Sequence, residues 1–161
     1  MRRRTQAVLF ASLLGAAFIT NASAQTRSLL AGGSRSLFAT TTLEAGDEAF
    51  SVDLRSGGNL DVRSMRLGSA CVGFAMARPD VIVRSVDSPP RLDLSVRANG
   101  GDTTLIVHTP DGRWLCNDDG GGGTNPRLRI ESPASGQYDI WVGSYRADQH
   151  LRATFEISAG D

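Results

Sequence analysis

Residues 91–97, Arg91-Leu92-Asp93-Leu94-Ser95-Val96-Arg97, put an apolar side chain at every second position and a polar one between. In an extended chain successive side chains point to opposite faces. The stretch therefore reads as a strand that buries Leu92, Leu94 and Val96 and wets Arg91, Asp93, Ser95 and Arg97. A helical face would need recurrence at three and four residues, which is absent here. Asn99-Gly100-Gly101 ends the strand with residues that supply the backbone freedom of a turn.

The same signature repeats on both sides. Upstream, Phe50, Val52 and Leu54 alternate with Ser51 and Asp53 before Gly57-Gly58, and Leu60 and Val62 begin a further short strand. Val81–Ser85 is β-branched and lies between Pro79-Asp80 and Ser88-Pro89-Pro90. Downstream, Thr103–His108 turns at Pro110-Asp111-Gly112 into Arg113–Asn117, and Leu128 and Ile130 alternate with Arg127, Arg129 and Glu131. Pro133-Ala134-Ser135-Gly136 leads into Gln137–Ser144, and a last strand covers about Leu151–Ile157. Short strands at near-regular spacing, each ended by Gly, Pro, Asn or Asp, indicate an all-β, antiparallel sandwich. The length suits one domain with a single core.

The N-terminus has a different character. Arg2, Arg3 and Arg4 precede an apolar run from Ala7 to Ile19, which closes on Asn21-Ala22-Ser23-Ala24-Gln25. This is the pattern of a signal helix cleaved after Ala24, since Ala22 and Ala24 supply the small side chains a signal peptidase accepts. The run falls short of the roughly 20 residues of a membrane span, and no second apolar segment follows. The domains expected are a signal peptide at 1–24, a flexible Ser/Gly-rich leader at 25–38 and the sandwich at 39–161. The mature protein is expected in the periplasm or outside the cell.

Cleavage changes the charge. Without Arg2, Arg3 and Arg4 the 17 basic residues fall to 14 against 17 acidic ones, a formal charge of −3. That balance excludes the basic footprint of a nucleic-acid binder. Cys71 and Cys116 form an even pair that should bridge in an oxidising compartment, two free buried thiols being the alternative.

Three groups of residues are candidates for chemistry. In Cys116-Asn117-Asp118-Asp119-Gly120-Gly121-Gly122-Gly123-Thr124-Asn125-Pro126, adjacent carboxylates repel unless solvated or bridged by a cation. Calcium takes six to eight oxygens, carbonyls among them, so a calcium site is drawn from Asp102, Asp111, Asp118, Asp119 and Asn125. A solvated loop is the competing reading. An aromatic strip of Trp114, Trp141 and Tyr145 is the second candidate, for stacking against sugar rings, with core packing as its competitor. Trp141 and Tyr145 share strand parity, opposite to Tyr138, Ile140 and Val142. Catalysis is the third. Only His108 and His150 offer an imidazole, no Gly-x-Ser-x-Gly or His-Glu-x-x-His occurs, and Asp118-Asp119 are sequence neighbours rather than carboxylates flanking one bond. No catalytic residue is assigned.

The run Asp102-Thr103-Thr104-Leu105-Ile106-Val107, then Pro110-Asp111-Gly112 and Trp114-Leu115-Cys116-Asn117-Asp118-Asp119, resembles the bacterial pre-peptidase C-terminal domain family. Asn125-Pro126 and Ser135-Gly136-Gln137-Tyr138-Asp139-Ile140-Trp141-Val142-Gly143-Ser144-Tyr145 continue the likeness, as do Cys71-Val72-Gly73-Phe74 and Pro79-Asp80 upstream. It covers about Leu43 to Ile157. The resemblance implies a jelly-roll-like β-sandwich, secreted or periplasmic, of a kind often appended to extracellular proteases. Some relatives bind calcium, and others collagen-like or polysaccharide material. No protease domain accompanies it in this sequence, so a stand-alone, non-catalytic recognition or accessory module is expected. Its partner would be an extracellular or envelope protein or polysaccharide. A serine-peptidase-like hydrolase or a peptidase accessory subunit is the alternative.

Overall fold

The alternating segments become eleven strands in a computed structural model that describes residues 28–160. The expected signal peptide, with its cleavage site, lies outside the described residues.

Two sheets form. The smaller has the order β2 (Phe50–Arg55), β11 (Arg152–Gly160), β6 (Arg91–Ala98), β9 (Arg127–Glu131), antiparallel throughout. The larger runs β1 (Ala39–Leu43), β5 (Val81–Ser85), β10 (Gly136–Ser144), β4 (Phe74–Ala75), β3 (Leu60–Asp61). On the other edge of β10 it adds β7 (Thr103–His108), which pairs in turn with β8 (Trp114–Asn117). The β1–β5 pair is parallel, an exception to the antiparallel expectation. One 3-10 turn, Arg63–Met65, interrupts the strands.

Between the sheets lies the main core. Leu92, Leu94 and Val96 from β6 meet Tyr138, Ile140 and Val142 from β10, with Phe155 and Ile157 from β11. The faces read from the alternation are therefore the ones that bury. A second, smaller core, not expected from chain length, sits on the other side of the larger sheet. There Ile106 and Trp141 pack with Leu29, Val62, Ala75 and Cys71 beneath a cap made by the 60–75 segment. Every residue of β7 except His108 is buried, because both faces of that strand are covered.

The Cys71–Cys116 bridge ties this cap to β8, with Cα atoms 4.9 Å apart. Spanning 45 residues, it restricts the unfolded chain by about 4 kcal/mol in the loop-entropy account.

The stretch read as a flexible leader is held in place from Ser28 onward. Leu29 enters the second core, and the Leu30 N–H donates to the Ala77 carbonyl at 2.7 Å. The Gly32 N–H donates to Asp139 Oδ2 at 2.6 Å, and Gln137 Nε2 donates to the Gly33 carbonyl at 2.7 Å. Backbone groups make most of these contacts, which is why a Ser/Gly-rich composition hides them.

One edge of β10 shows how a missing strand is replaced. β5 pairs with β10 as far as Ile140, and β4 resumes only at Ser144. In the gap the Val142 carbonyl accepts from the Gly57 N–H at 2.9 Å, and the Val142 N–H donates to Asp80 Oδ2 at 2.7 Å. Gly57 sits at φ +90°, and a Cβ there would strike the Gln149 carbonyl, so only glycine brings its backbone this close. Asp80 is 1% exposed and its Oδ1 has no partner. Burial, only partly offset by the Val142 hydrogen bond, pushes its carboxyl up from 3.8 to about 7.

Candidate functional site

The structure divides the proposed calcium ligands. β7 and β8 form a hairpin, so Asp102, just before β7, lies at the same end as Asp118 and Asp119, just after β8. Asp111 is in the connecting turn at the other end, about 20 Å away over six residues of strand. There it accepts from Thr109 Oγ1 at 2.5 Å and Arg113 Nε at 2.7 Å, and those hydrogen bonds hold its carboxyl below the ordinary value. Asn125 Oδ1 accepts the Ala98 N–H at 2.9 Å. Two of the five expected ligands are thus committed elsewhere.

The remaining three carboxylates share one end of the hairpin. Asp102 has a buried Oδ1 without a partner, and its carboxyl is pushed up first by burial, then by Asp119 and Asp118. Among the described residues no three His, Cys, Asp or Glu side chains converge closely enough to hold a metal ion. The Gly-rich loop is shaped instead by Asn117, whose Oδ1 accepts from the Gly120 and Arg127 N–H groups at 2.6 and 3.0 Å.

The aromatic strip is also taken apart. Trp141 is fully buried in the second core, with Trp114 tilted over it at a centroid distance of 5.5 Å. His108 lies 4.7 Å from Trp114, with the two rings tilted by 54°. Tyr145 is exposed, just beyond the end of β10. Trp141 and Trp114 thus follow the competing reading, core packing.

Neither histidine is part of a hydrolytic set. His108 Nδ1 is 3.9 Å from Asp139 Oδ2, beyond hydrogen-bond range, and that oxygen already accepts from Gly32. His150 Nδ1 lies 3.2 Å from the Ser56 carbonyl. The nearby Ser144 hydroxyl bonds to that of Ser56 at 2.7 Å and is fully buried, so no substrate reaches it.

What remains open is the outer face of the smaller sheet, with an Asp93-centred cluster at its middle. Asp93 Oδ2 accepts from Arg91 Nε at 2.6 Å, while Oδ1 accepts from Arg129 Nε at 3.0 Å and Arg127 Nη2 at 3.1 Å. Desolvation raises this carboxyl, but the three arginine hydrogen bonds outweigh it and hold it below its ordinary value. Arg97 pairs with Glu156 at 3.2 Å. A depression of about 310 Å3 lies between Asp93, Arg127 and Glu156. A wider trough of about 760 Å3 lies over Arg55, Arg152 and Thr154, with Phe38 also lining it, and Arg97 borders both.

The fold is similar to that of a pre-peptidase C-terminal domain. The solved domain, from a Bacillus anthracis collagenase, is 13% identical, with 74% of this chain and 94% of that one covered and a TM-score of 0.44. A periplasmic inhibitor of g-type lysozyme from Aeromonas hydrophila is 16% identical, with 74% and 96% covered and a TM-score of 0.41. No family model matches the chain, and no curated protein does.

The arginine face was missed at the sequence level although its signal was present. Arg91 and Arg97 are on the polar parity of β6, Arg127 and Arg129 on that of β9, and Arg55 and Arg152 on those of β2 and β11. Only the strand order places them side by side.

Proposed function

We propose that this chain is a non-catalytic, exported recognition or accessory module that binds an extracellular or envelope component. The observation that carries the reading is the contrast between the two sheets. The cap and residues 28–38 cover the larger sheet around Trp141, whereas the smaller presents an uncovered polar face with two depressions. The candidate nucleophile Ser144 is sealed and the imidazoles lack a hydrolytic arrangement, which supports binding over turnover. The disulfide supports an oxidising compartment, and among the described residues no helix is long and apolar enough to cross a membrane.

Calcium belongs to this proposal only at the Asp102, Asp118 and Asp119 end of the β7–β8 hairpin, where a cation would have to draw the three carboxylates together and would offset the burial and the neighbouring Asp119 and Asp118 charges that raise Asp102. The test of the main reading is retention of the folded protein on fractionated cell-envelope material, together with an assay for peptide hydrolysis. Saturable retention without hydrolysis is the expected result. Hydrolysis lost on Ser144→Ala or His150→Ala would overturn it.

A further inference from the structure

The strand register places two arginines directly opposite one another. Arg152 of β11 is the partner of Arg55 on β2, and one row along, Thr154 stands between Asp53 and Arg97. Like charges directly opposite in an antiparallel pair are destabilising. Among the described residues neither Arg55 nor Arg152 makes an ion pair. Arg55 only donates to the His150 carbonyl at 3.5 Å, and Asp53 is occupied by the Thr154 hydroxyl at 2.7 Å. These two guanidinium groups and Arg97 border the trough of about 760 Å3.

The other side of the same face shows what such a trio holds. Arg91, Arg127 and Arg129 converge on one carboxylate, that of Asp93. Arg55, Arg97 and Arg152 present the same guanidinium chemistry to the trough; Arg97 is already paired with Glu156 and Asp53 is held by Thr154 in the same lining, so Arg55 and Arg152 carry the uncommitted charge. Resting on the recognition reading above, we propose that this face binds a carboxylate-bearing polysaccharide, whose uronate groups are held by Arg55, Arg152 and Arg97. Guanidinium forks match carboxylates in a bidentate way, and here they are already spread along a sheet.

Two features of the lining favour a glycan over an acidic protein or a nucleic acid, and the distribution of charge favours an acidic polymer in general. The lining supplies amide and hydroxyl groups suited to sugar hydroxyls, from Asn99 and Thr154 here and from Ser95 and Ser158 in the adjoining depression. Among the described residues Phe38 is the only aromatic in either depression, whereas protein interfaces centre on buried apolar anchors and single-stranded nucleic acids stack on rows of aromatics. Charge is also segregated. The outer face carries six arginines against Asp53, Asp93, Glu131 and Glu156, while the rest of residues 25–161 carries eight against thirteen acids. An acidic polymer is thus drawn to this face and repelled elsewhere.

The test is calorimetric titration of the folded protein with an oligouronate, using neutral dextran and poly-glutamate as comparisons. The oligouronate should bind saturably, more weakly as salt rises, and dextran should not. Arg55→Ser with Arg152→Ser should weaken binding about tenfold, the loss of two exposed charge contacts, while Arg63→Ser in the 3-10 turn leaves it unchanged. If the double variant melts below the wild type, Arg97→Ser decides in its place. Absence of uronate binding, binding indifferent to these arginines, or equal binding of poly-glutamate would each overturn the proposal. Envelope retention that survives without uronate binding would remove only the glycan; loss of both would remove the recognition reading as well.

Discussion

Asp80 makes a distinctive contribution to stability against pH. Its folded carboxyl titrates at about 7 against 3.8 for the ordinary group, because it is buried with only one of its two oxygens hydrogen-bonded. The protonated form is the one folding favours. Its stabilisation is fully present below about pH 4 and is lost as pH rises through about 7. The gap corresponds to about 4 kcal/mol, a large share of the 5–15 kcal/mol typical of a domain. Asp80→Asn keeps an oxygen to accept the Val142 N–H and removes the ionisation. Its amide leaves one buried group without a partner at a pH-independent cost of about 1–3 kcal/mol. Urea unfolding at pH 4.5 and pH 8 isolates the effect. The variant should be the less stable protein at pH 4.5 and should gain on the wild type by about 3 kcal/mol between pH 4.5 and pH 8. A constant difference between the two proteins at both pH values would refute the reasoning.

Four further outcomes are expected. Replacing Cys71 and Cys116 by serine should lower stability by about 4 kcal/mol, read by denaturant unfolding under non-reducing conditions; an unchanged midpoint would mean the bridge constrains little. Trp141→Ala should cost about 3–5 kcal/mol, since the indole is fully buried in the second core; a melting temperature within two degrees of wild type would place it at a surface. Asp139→Ala removes the acceptor of the Gly32 N–H and should speed hydrogen exchange in residues 28–38 while leaving β6 protected; equal protection in that segment would show that Leu29 and the Leu30 and Gly33 hydrogen bonds secure it without Asp139. Calcium should raise the melting temperature of the wild type but not of Asp102→Asn, and an equal rise in both would move the ion away from this loop.

Much of the sandwich was legible because alternation fixes which side chains share a face. Leu92, Leu94 and Val96 bury, as their spacing requires. The reading weakened where both faces of a strand are apolar. In β10, Tyr138, Ile140 and Val142 point into the main core and Trp141 into the second, and nothing in the strand itself says that a cap covers the indole. Residues 28–38 escaped notice because Gly32 and Gly33 make their contacts through backbone groups. The misplacement of Asp111 was avoidable: two strands joined by a short turn put the start of the first and the turn itself at opposite ends. The arginine face was different again, since its residues come from four strands whose order no local pattern encodes.

The placement of the last two strands constrains how the chain reaches this structure. β10 lies between β5 and β7, and β11 between β2 and β6, so both sheets are closed from their middles by strands that come late in the order. Until Gly136–Gly160 arrives, β2 has no neighbour in its own sheet and β5 has only β1. Such long-range pairing makes for slow folding with exposed strand edges on the way. Removing β11, Arg152–Gly160, would therefore take one of the two inner strands out of the smaller sheet rather than trim its border.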